Sequence, residues 1–243
     1  MNYDLCVIGA GWAGFNAALK AARLGKKVCL IEDGAVGGTC LNRGCIPTKA
    51  LIAYAKQGIS FSEIQRKKNS VVERLRQGMQ YMLKTHKVDH LIGTAFLGAG
   101  RTVSINKDKL IQARFVLLAT GSVPKDIDGL RFDHKKIVSS DDVLGWDEIP
   151  ARVLIVGTGV IGCEFAFLLK RLGATVTVVE MLGQVVPGID GQVSQKLEQA
   201  MKKAGIQVYL KKNVSEMNLN DFDKVVVAVG RGARAAGIWD ENL

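Results

Sequence analysis

The chain has 243 residues, of which 48% are hydrophobic and 23% are charged, and it contains 27 glycines but only four prolines. This length predicts two domains of ordinary size, each with its own core. The net charge of +10 comes from small scattered groups of lysine and arginine with few aromatic residues, which argues against nucleic-acid binding. No apolar run reaches the length of a membrane span, and a strand pattern that starts almost at Met1 leaves no room for a signal peptide. We therefore expect a cytoplasmic protein without a membrane partner.

The first predicted elements form a nucleotide-binding unit. An apolar strand runs into a G-x-G-x-x-G turn at Gly9, Gly11 and Gly14, an amphipathic helix follows, and a second strand ends at Glu32. In such a unit the first glycine makes a tight turn, the second admits a pyrophosphate and the third lets the helix pack on the strand. The helix N-terminus then carries the phosphate charge, while the acidic residue accepts hydrogen bonds from a ribose. The pattern predicts a dinucleotide site.

The next segment carries two cysteines, Cys40 and Cys45, in the sequence GGTCLNRGCIPTK at residues 37–49. A structural disulfide does not fit a chain without a secretory signal, and the spacing is not that of a zinc site. The glycines before each cysteine let the backbone approach a flat cofactor. Pro47 suits the first turn of a helix, so Cys45 is expected at a helix N-terminus, where a thiolate is favoured, with Lys49 adding positive charge. We interpret the two cysteines as a redox pair.

Between residues 50 and 90 the apolar residues follow helical periodicity, which predicts two helices with a break near Gly58. Short strands are predicted around residues 91–92 and 102–105. The apolar run at residues 115–118 predicts a buried strand that leads into a glycine turn. A domain boundary is expected close to residue 144, after which a strand pattern begins again.

The sequence then repeats its first unit at an offset of 148 positions (157 minus 9). Residues 155–162 align without gaps on residues 7–14, and Glu180 falls in the place of Glu32. Two complete units, each with its acid 23 positions after its first glycine (9 to 32 and 157 to 180), predict two dinucleotide sites. The residues just after Glu180 include no arginine to receive a 2′-phosphate, which favours NAD over NADP at the second site.

Together these motifs resemble the flavoprotein disulfide reductases, the class I pyridine nucleotide-disulphide oxidoreductases that carry a redox-active cysteine pair. The segment 38–49 is most similar to the dihydrolipoamide dehydrogenase branch, in which leucine and isoleucine are typical at the positions of Leu41 and Ile46. Residues 119–121 are similar to the flavin-domain turn of the family, and residues 229–231 to the end of its NAD domain. In comparison with that domain, residues 214–223 are too short for the usual β-hairpin. The resemblance implies an α/β fold of the FAD/NAD(P)-binding type with two Rossmann-like dinucleotide-binding domains, each a parallel sheet with helices and a small β-layer.

The resemblance also implies FAD on a domain over residues 1–144 and NAD on a domain over residues 145–243. The positions expected around FAD are Gly9, Gly11, Gly14, Glu32, Gly38, Thr39, Lys49, Gly93, Ala95, Thr120 and Gly121. The positions expected around NAD are Gly157, Gly159, Gly162, Glu180, Val214 and Gly230. Electrons would pass from the nicotinamide through the flavin to a Cys40–Cys45 disulfide, with Cys45 facing the flavin and Cys40 meeting the substrate. Lys49 would lie near the flavin and pair with Glu164, which completes the predicted catalytic set.

The activity implied by the resemblance is that of an FAD-dependent, NAD-linked oxidoreductase that converts dihydrolipoamide and NAD⁺ into lipoamide and NADH. Family members are considerably longer, and the chain is expected to lack the C-terminal interface domain, which carries an acid–base histidine. We therefore expect a truncated enzyme or half of a split one, a second subunit that supplies the missing half, and poor turnover by this chain alone. The alternatives are a glutathione- or mercuric-reductase-type enzyme and a non-catalytic nucleotide-binding remnant. The three histidines lack ligand spacing, so no metal is expected.

Overall fold

The computed structural model describes residues 2–240. They form two compact units that alternate along the chain. Unit one consists of the residues up to Ile46, Ser70–Val123 and the residues from Ala233 onward, and unit two consists of Pro47–Asn69 and Pro124–Gly232. The predicted domains, 1–144 and 145–243, are instead continuous in sequence, and these limits stay a prediction about the ligand-binding domains.

The secondary structure follows the predicted order of elements. The strands are β1 (Asn2–Ile8), β2 (Val28–Glu32), β3 (Asp89–Ile92), β4 (Ala95–Gly98), β5 (Thr102–Ile105), β6 (Lys109–Leu118), β7 (Ser122–Pro124), β8 (Ile137–Val138), β9 (Arg152–Val156), β10 (Thr175–Val179), β11 (Gln207–Tyr209), β12 (Lys224–Val227) and β13 (Arg231–Ala233). The α-helices are α1 (Trp12–Arg23), α2 (Gly38–Arg43), α3 (Cys45–Tyr54), α4 (Phe61–Thr85), α5 (Ser140–Val143), α6 (Val160–Arg171) and α7 (Gly191–Lys203). The break predicted near Gly58 separates α3 from α4. Within the described residues, none of these helices combines the length and apolar character that a bilayer crossing needs.

Unit one is built on a six-stranded sheet in the order β3-β2-β1-β6-β5-β4, with parallel pairing from β3 to β6 and antiparallel pairing among β6, β5 and β4. Successive side chains of a strand point to opposite faces of the sheet. Strand β1 therefore contributes Val7 to a core shared with Phe15 and Leu19 of α1, and Cys6 and Ile8 to a core shared with β4 and β5. The predicted parallel sheet with helices and a small β-layer is confirmed.

Strand β6 differs from the prediction in its exposure. Residues 115–118 lie in a strand that pairs with β1, but Phe115 is 58% exposed, and Leu117 and Leu118 are exposed as well. The prediction of a buried strand is wrong here. Among the described residues, β5 pairs only with residues 109–112 of β6, so the later half of the strand has β1 as its one strand neighbour. An apolar run identifies a strand but does not show which of its faces is covered.

Unit two is built on a five-stranded parallel sheet in the order β11-β10-β9-β12-β8. Its central strands are rich in valine and largely buried, as in parallel sheets covered on both faces. One face packs on α6 and α7 through residues such as Phe165 and Met201. The other face packs on the loop around Leu130 and on two 3₁₀ turns, Val214–Glu216 and Leu219–Asp221. These turns occupy the stretch that was predicted to be too short for a β-hairpin.

Candidate functional site

The two glycine turns have the same geometry in both units. Gly9 and Gly157 have φ angles of 103° and 95°, and a Cβ at either would lie 2.3 or 2.7 Å from a neighbouring carbonyl oxygen. A Cβ at Gly14 or Gly162 would lie 1.9 or 2.0 Å from the carbonyl oxygen of the first glycine of its own turn. Side chains do not fit at such distances, so these four positions require glycine. This is the tight turn and close helix packing that a dinucleotide site needs.

The helix after each turn begins with backbone N–H groups that no described side chain caps. Helix α1 begins after Gly11 and α6 begins after Gly159, and neither N-terminus receives a side-chain cap from a described residue. The first N–H groups of a helix have no partner within the helix, and the helix dipole favours negative charge at this end. Both turns can therefore hold the pyrophosphate of a dinucleotide.

Glu32, at the end of β2, is held by the backbone of the first turn. Its Oε2 accepts a hydrogen bond from the N–H of Ala10 at 2.7 Å, and its Oε1 accepts one from the N–H of Gly34 at 3.0 Å. Burial raises the pKa of Glu32, and these two hydrogen bonds oppose that effect. Each carboxylate oxygen keeps a lone pair for a further donor, so the side chain can bind a ribose hydroxyl beside the turn.

Glu180 takes the same place after β10 but accepts one hydrogen bond more than Glu32. Its Oε2 accepts hydrogen bonds from the N–H of Thr158 at 2.9 Å and from the hydroxyl of Thr158 at 3.0 Å, and its Oε1 accepts one from the N–H of Leu182 at 2.9 Å. Thr158 is fully buried and Glu180 is 7% exposed. Because the first turn has Ala10 at this place, the hydroxyl contact belongs to the second unit. This hydrogen bond was not predicted, although Thr158 lies between Gly157 and Gly159 in the sequence.

A cleft of about 690 Å³ lies beside the second turn, within unit two. It brings together five of the six positions predicted for NAD, namely Gly157, Gly159, Glu180, Val214 and Gly230. The sixth, Gly162, lies beneath the turn. Lys125 and Lys212 also line the cleft, and no sequence motif indicates these two cations. The volume is in the range of small-molecule sites.

The cysteine pair lies where two helices meet. Cys40 is within α2 and Cys45 is the first residue of α3, with only Gly44 between the two helices. Cys40 is half-buried and Cys45 is exposed. Gly38 has a φ angle of 56°, and a Cβ there would lie 2.6 Å from the Cα of Gly11. The cysteine segment therefore packs directly on the first glycine turn, and the predicted helix start at Cys45 is confirmed.

Three further positions predicted for FAD also lie in unit one. Thr39 is in α2, next to Cys40. Gly93 follows β3 and donates its N–H to the carbonyl oxygen of Glu32 at 2.9 Å. Ala95 begins β4 and is buried in the core of unit one.

Thr120 and Gly121, the last positions predicted for FAD, contact Arg234. The Thr120 hydroxyl donates to the carbonyl oxygen of Arg234 at 2.6 Å, and the N–H of Arg234 donates to the carbonyl oxygen of Gly121 at 3.0 Å. The Arg234 guanidinium pairs with Asp33 and holds the pKa of that carboxyl below its usual range. Asp33 and Arg234 are 201 positions apart, and no local pattern indicates this contact from sequence.

Lys49 and Glu164 form the ion pair that the resemblance implied. The Nζ of Lys49 lies 2.6 Å from Oε1 of Glu164, with both residues in unit two. The side chains are 57% and 28% exposed, and exposed pairs of this kind contribute little to stability. The pair instead fixes the position of the ammonium group.

Two dinucleotide-binding turns on parallel sheets, with a dithiol packed on the first of them, form the architecture of a nucleotide-dependent disulfide oxidoreductase. The family model described as pyridine nucleotide-disulphide oxidoreductase matches residues 3–241. The chain belongs to this family, as the motifs predicted.

Two relatives and one solved structure show how the chain compares with known members. It is 36% identical over 273 residues to a dihydrolipoyl dehydrogenase of Chlamydia pneumoniae and 34% identical over 275 residues to one of Bacillus subtilis (strain 168). These alignments cover 99% and 98% of this chain but 59% and 60% of the relatives. The Cu(II) complex of the HOCl-induced flavoprotein disulfide reductase RclA from Escherichia coli is similar with a TM-score of 0.88 and 26% identity, covering 98% of this chain and 58% of that one. The chain thus spans about three fifths of the length of these proteins.

Proposed function

We propose that the chain acts as an FAD-dependent, NAD-linked dithiol/disulfide oxidoreductase of the dihydrolipoyl dehydrogenase type, with a lipoyl group as its substrate. The observation that carries this proposal is the packing of Gly38 on Gly11, because it sets the cysteine pair beside the turn proposed for FAD. The names of the two relatives support a lipoyl substrate over the glutathione- and mercury-type alternatives.

The residues of unit one fit FAD. Gly9 and Gly14 allow the tight turn and the close packing of α1, and Gly11, whose added Cβ would meet no described atom nearer than 3.8 Å, leaves the N-terminus of α1 open to a pyrophosphate. Glu32 would bind the ribose, and the remaining contacts within unit one would come from Gly38, Thr39, Gly93, Ala95, Thr120 and Gly121. When bound, FAD carries two electrons between a nicotinamide and a disulfide.

The cleft of unit two would hold NAD. The Glu180 carboxylate can accept hydrogen bonds from a ribose diol and repels a 2′-phosphate, which supports NAD over NADP. Lys125 and Lys212 line the same cleft and are the cations there that could offset this repulsion. The ratio of the dissociation constants of NADPH and NADH therefore tests the assignment, and a ratio below one would contradict it.

In the proposed mechanism, Cys40 and Cys45 alternate between a dithiol and a disulfide. Reduction of the disulfide takes up two electrons and two protons and yields two thiols. Cys45 lies at the N-terminus of α3, where the helix dipole favours the thiolate, and we assign it to the flavin side and Cys40 to the substrate side. Lys49, held by Glu164, would supply a fixed positive charge for negative charge that develops during electron transfer.

The proposal is tested by following the cysteines directly. The full chain is oxidised, freed of oxygen, and mixed with FAD and NADH, and its thiols are then counted by alkylation and peptide mass spectrometry. The expected result is two new thiols, at Cys40 and Cys45, with none in C40S or C45S controls and none when FAD is omitted. If NADH and FAD produce no new thiols, the non-catalytic alternative is correct.

We also propose that a second polypeptide supplies the part of the relatives that this chain does not match. The chain alone is then expected to turn over dihydrolipoamide poorly, for lack of an acid–base group. Efficient turnover by the purified chain would contradict this.

A further inference from the structure

Asn42 holds together the turn that carries the two cysteines. Its Nδ2 donates to the carbonyl oxygens of Ala35 at 3.1 Å, Val36 at 3.0 Å and Gly38 at 3.0 Å. One side chain therefore ties α2, which contains Cys40, to the glycine-rich stretch before it. These bonds occupy both hydrogens of the amide group and leave its oxygen for another donor.

That donor is Arg76, from helix α4. Its Nε and Nη2 donate to the Oδ1 of Asn42 at 3.2 and 2.9 Å, and its Nη1 donates to Glu73 at 2.8 Å. Arg76 is partly buried, and its helix is fixed by Val72 and Met79, whose side chains pack in the core of unit one. A planar guanidinium that donates two bonds to one oxygen atom restricts both the distance and the direction of that oxygen. The cysteine turn is thereby attached to a rigid element outside it.

We propose that Arg76 is a positioning residue for the redox pair and acts through Asn42. This inference rests on the proposed function of Cys40 and Cys45. Closing a disulfide costs less conformational entropy when the segment that carries one of the sulfurs is already held in place. Arg76 therefore stabilises the disulfide relative to the dithiol, although its hydrogen bonds go to Asn42 and Glu73.

The equilibrium that measures this effect is exchange with glutathione. Oxidised glutathione reacts with the two thiols of Cys40 and Cys45 to give the intramolecular disulfide and two molecules of reduced glutathione. The protein thiols lose two electrons, the glutathione disulfide gains them, and the two thiol protons end on the glutathione products. The measurement needs neither NADH nor a lipoyl substrate.

The test uses the full chain equilibrated in glutathione buffers, acid-quenched, alkylated and analysed by mass spectrometry. R76A is expected to lower the equilibrium constant about tenfold through the lost charge-assisted contact, which for this two-electron couple is about 30 mV. The matched control is R74A, an exposed arginine of the same helix, which is expected to match the wild type. N42A is expected to show at least the loss of R76A, because it also removes the Nδ2 hydrogen bonds, and the double variant no more than N42A alone.

The conservative variant R76K separates the effect of geometry from that of charge, and it provides the test if R76A does not fold. R76K keeps the positive charge but cannot make the paired bonds, so its equilibrium constant is expected to lie between those of R76A and the wild type. If R76K equals the wild type, or if R76A equals R74A, the positioning role is overturned while the proposed function stands. If the wild-type chain forms no Cys40–Cys45 disulfide in any buffer, the proposed function and this inference are both overturned.

Discussion

Removal of one hydroxyl tests the contact that distinguishes the second glycine turn from the first. Thr158→Val keeps the branched shape of the side chain but leaves the Glu180 carboxylate without the bond at 3.0 Å. Because Thr158 is fully buried and Glu180 nearly so, water does not replace that bond. A hydrogen bond to a charged group contributes about 1.5–3 kcal/mol, and the added methyl group returns about 0.8 kcal/mol. The expected net loss in the free energy of unfolding is about 1–2 kcal/mol.

Thr177→Val is the matched control for this prediction. Thr177 is also buried in unit two, but its hydroxyl donates to the neutral amide oxygen of Gln207 at 3.0 Å. Such a bond contributes about 0.5–1.5 kcal/mol, so the methyl group nearly cancels its loss. In thermal unfolding, where 1 kcal/mol corresponds to about 2–4 °C, the midpoint of T158V is expected to fall by about 2–8 °C and that of T177V by less than about 2 °C. Equal shifts in the two variants would refute the contribution assigned to the hydrogen bond between the Thr158 hydroxyl and Glu180.

Three further measurements test the rest of the site. E164Q is expected to slow the NADH-driven reduction of the cysteine disulfide about tenfold, because the Lys49 ammonium group loses its partner. The free energy of unfolding is expected to change by less than about 1 kcal/mol. A variant that reduces the disulfide at the normal rate but loses several kcal/mol in free energy of unfolding would contradict this. Gly14→Ala is expected to prevent FAD retention, since its Cβ would lie 1.9 Å from a carbonyl oxygen. The control is Gly78→Ala in α4, where no described atom lies within 4 Å of the added Cβ; in urea titrations it should raise the free energy of unfolding by about 0.5–1 kcal/mol. At pH 8, iodoacetamide is expected to modify exposed Cys45 but not Cys163, because burial raises the pKa of the Cys163 thiol to about 11 and keeps it neutral; peptide mass spectra that show equal labelling would overturn this.

The parts of the site that could be predicted from sequence are those with local chemical requirements. The turn at Gly9 needs a positive φ and the close approach of a carbonyl group, and glycine is the residue that satisfies both. The helix start at Cys45 follows from Pro47 two residues later. In each case the constraint lies within a few residues, so the pattern can be recognised without the fold.

The parts that could not be predicted depend on which elements the fold brings together. Arg76 and Asn42 are 34 positions apart, and Arg234 and Asp33 are 201 positions apart. Their side chains carry no local signal, because surface arginines are common and pair with many partners. The exposure of Phe115 had the same cause, since its strand pattern does not reveal that β5 pairs with only the first part of β6.

The alternation of the two units has a consequence for synthesis on the ribosome, where the N-terminal part of a chain emerges first. Unit one contains the segment after Ala233, in which the carbonyl oxygen of Ile238 accepts the N–H of Leu97 at 2.8 Å and the N–H of Asp240 donates to the Leu97 carbonyl at 2.9 Å. These contacts form only when residue 240 has left the ribosome, by which time all of unit two has already emerged. The unit that begins to be synthesised first is therefore the last to be completed.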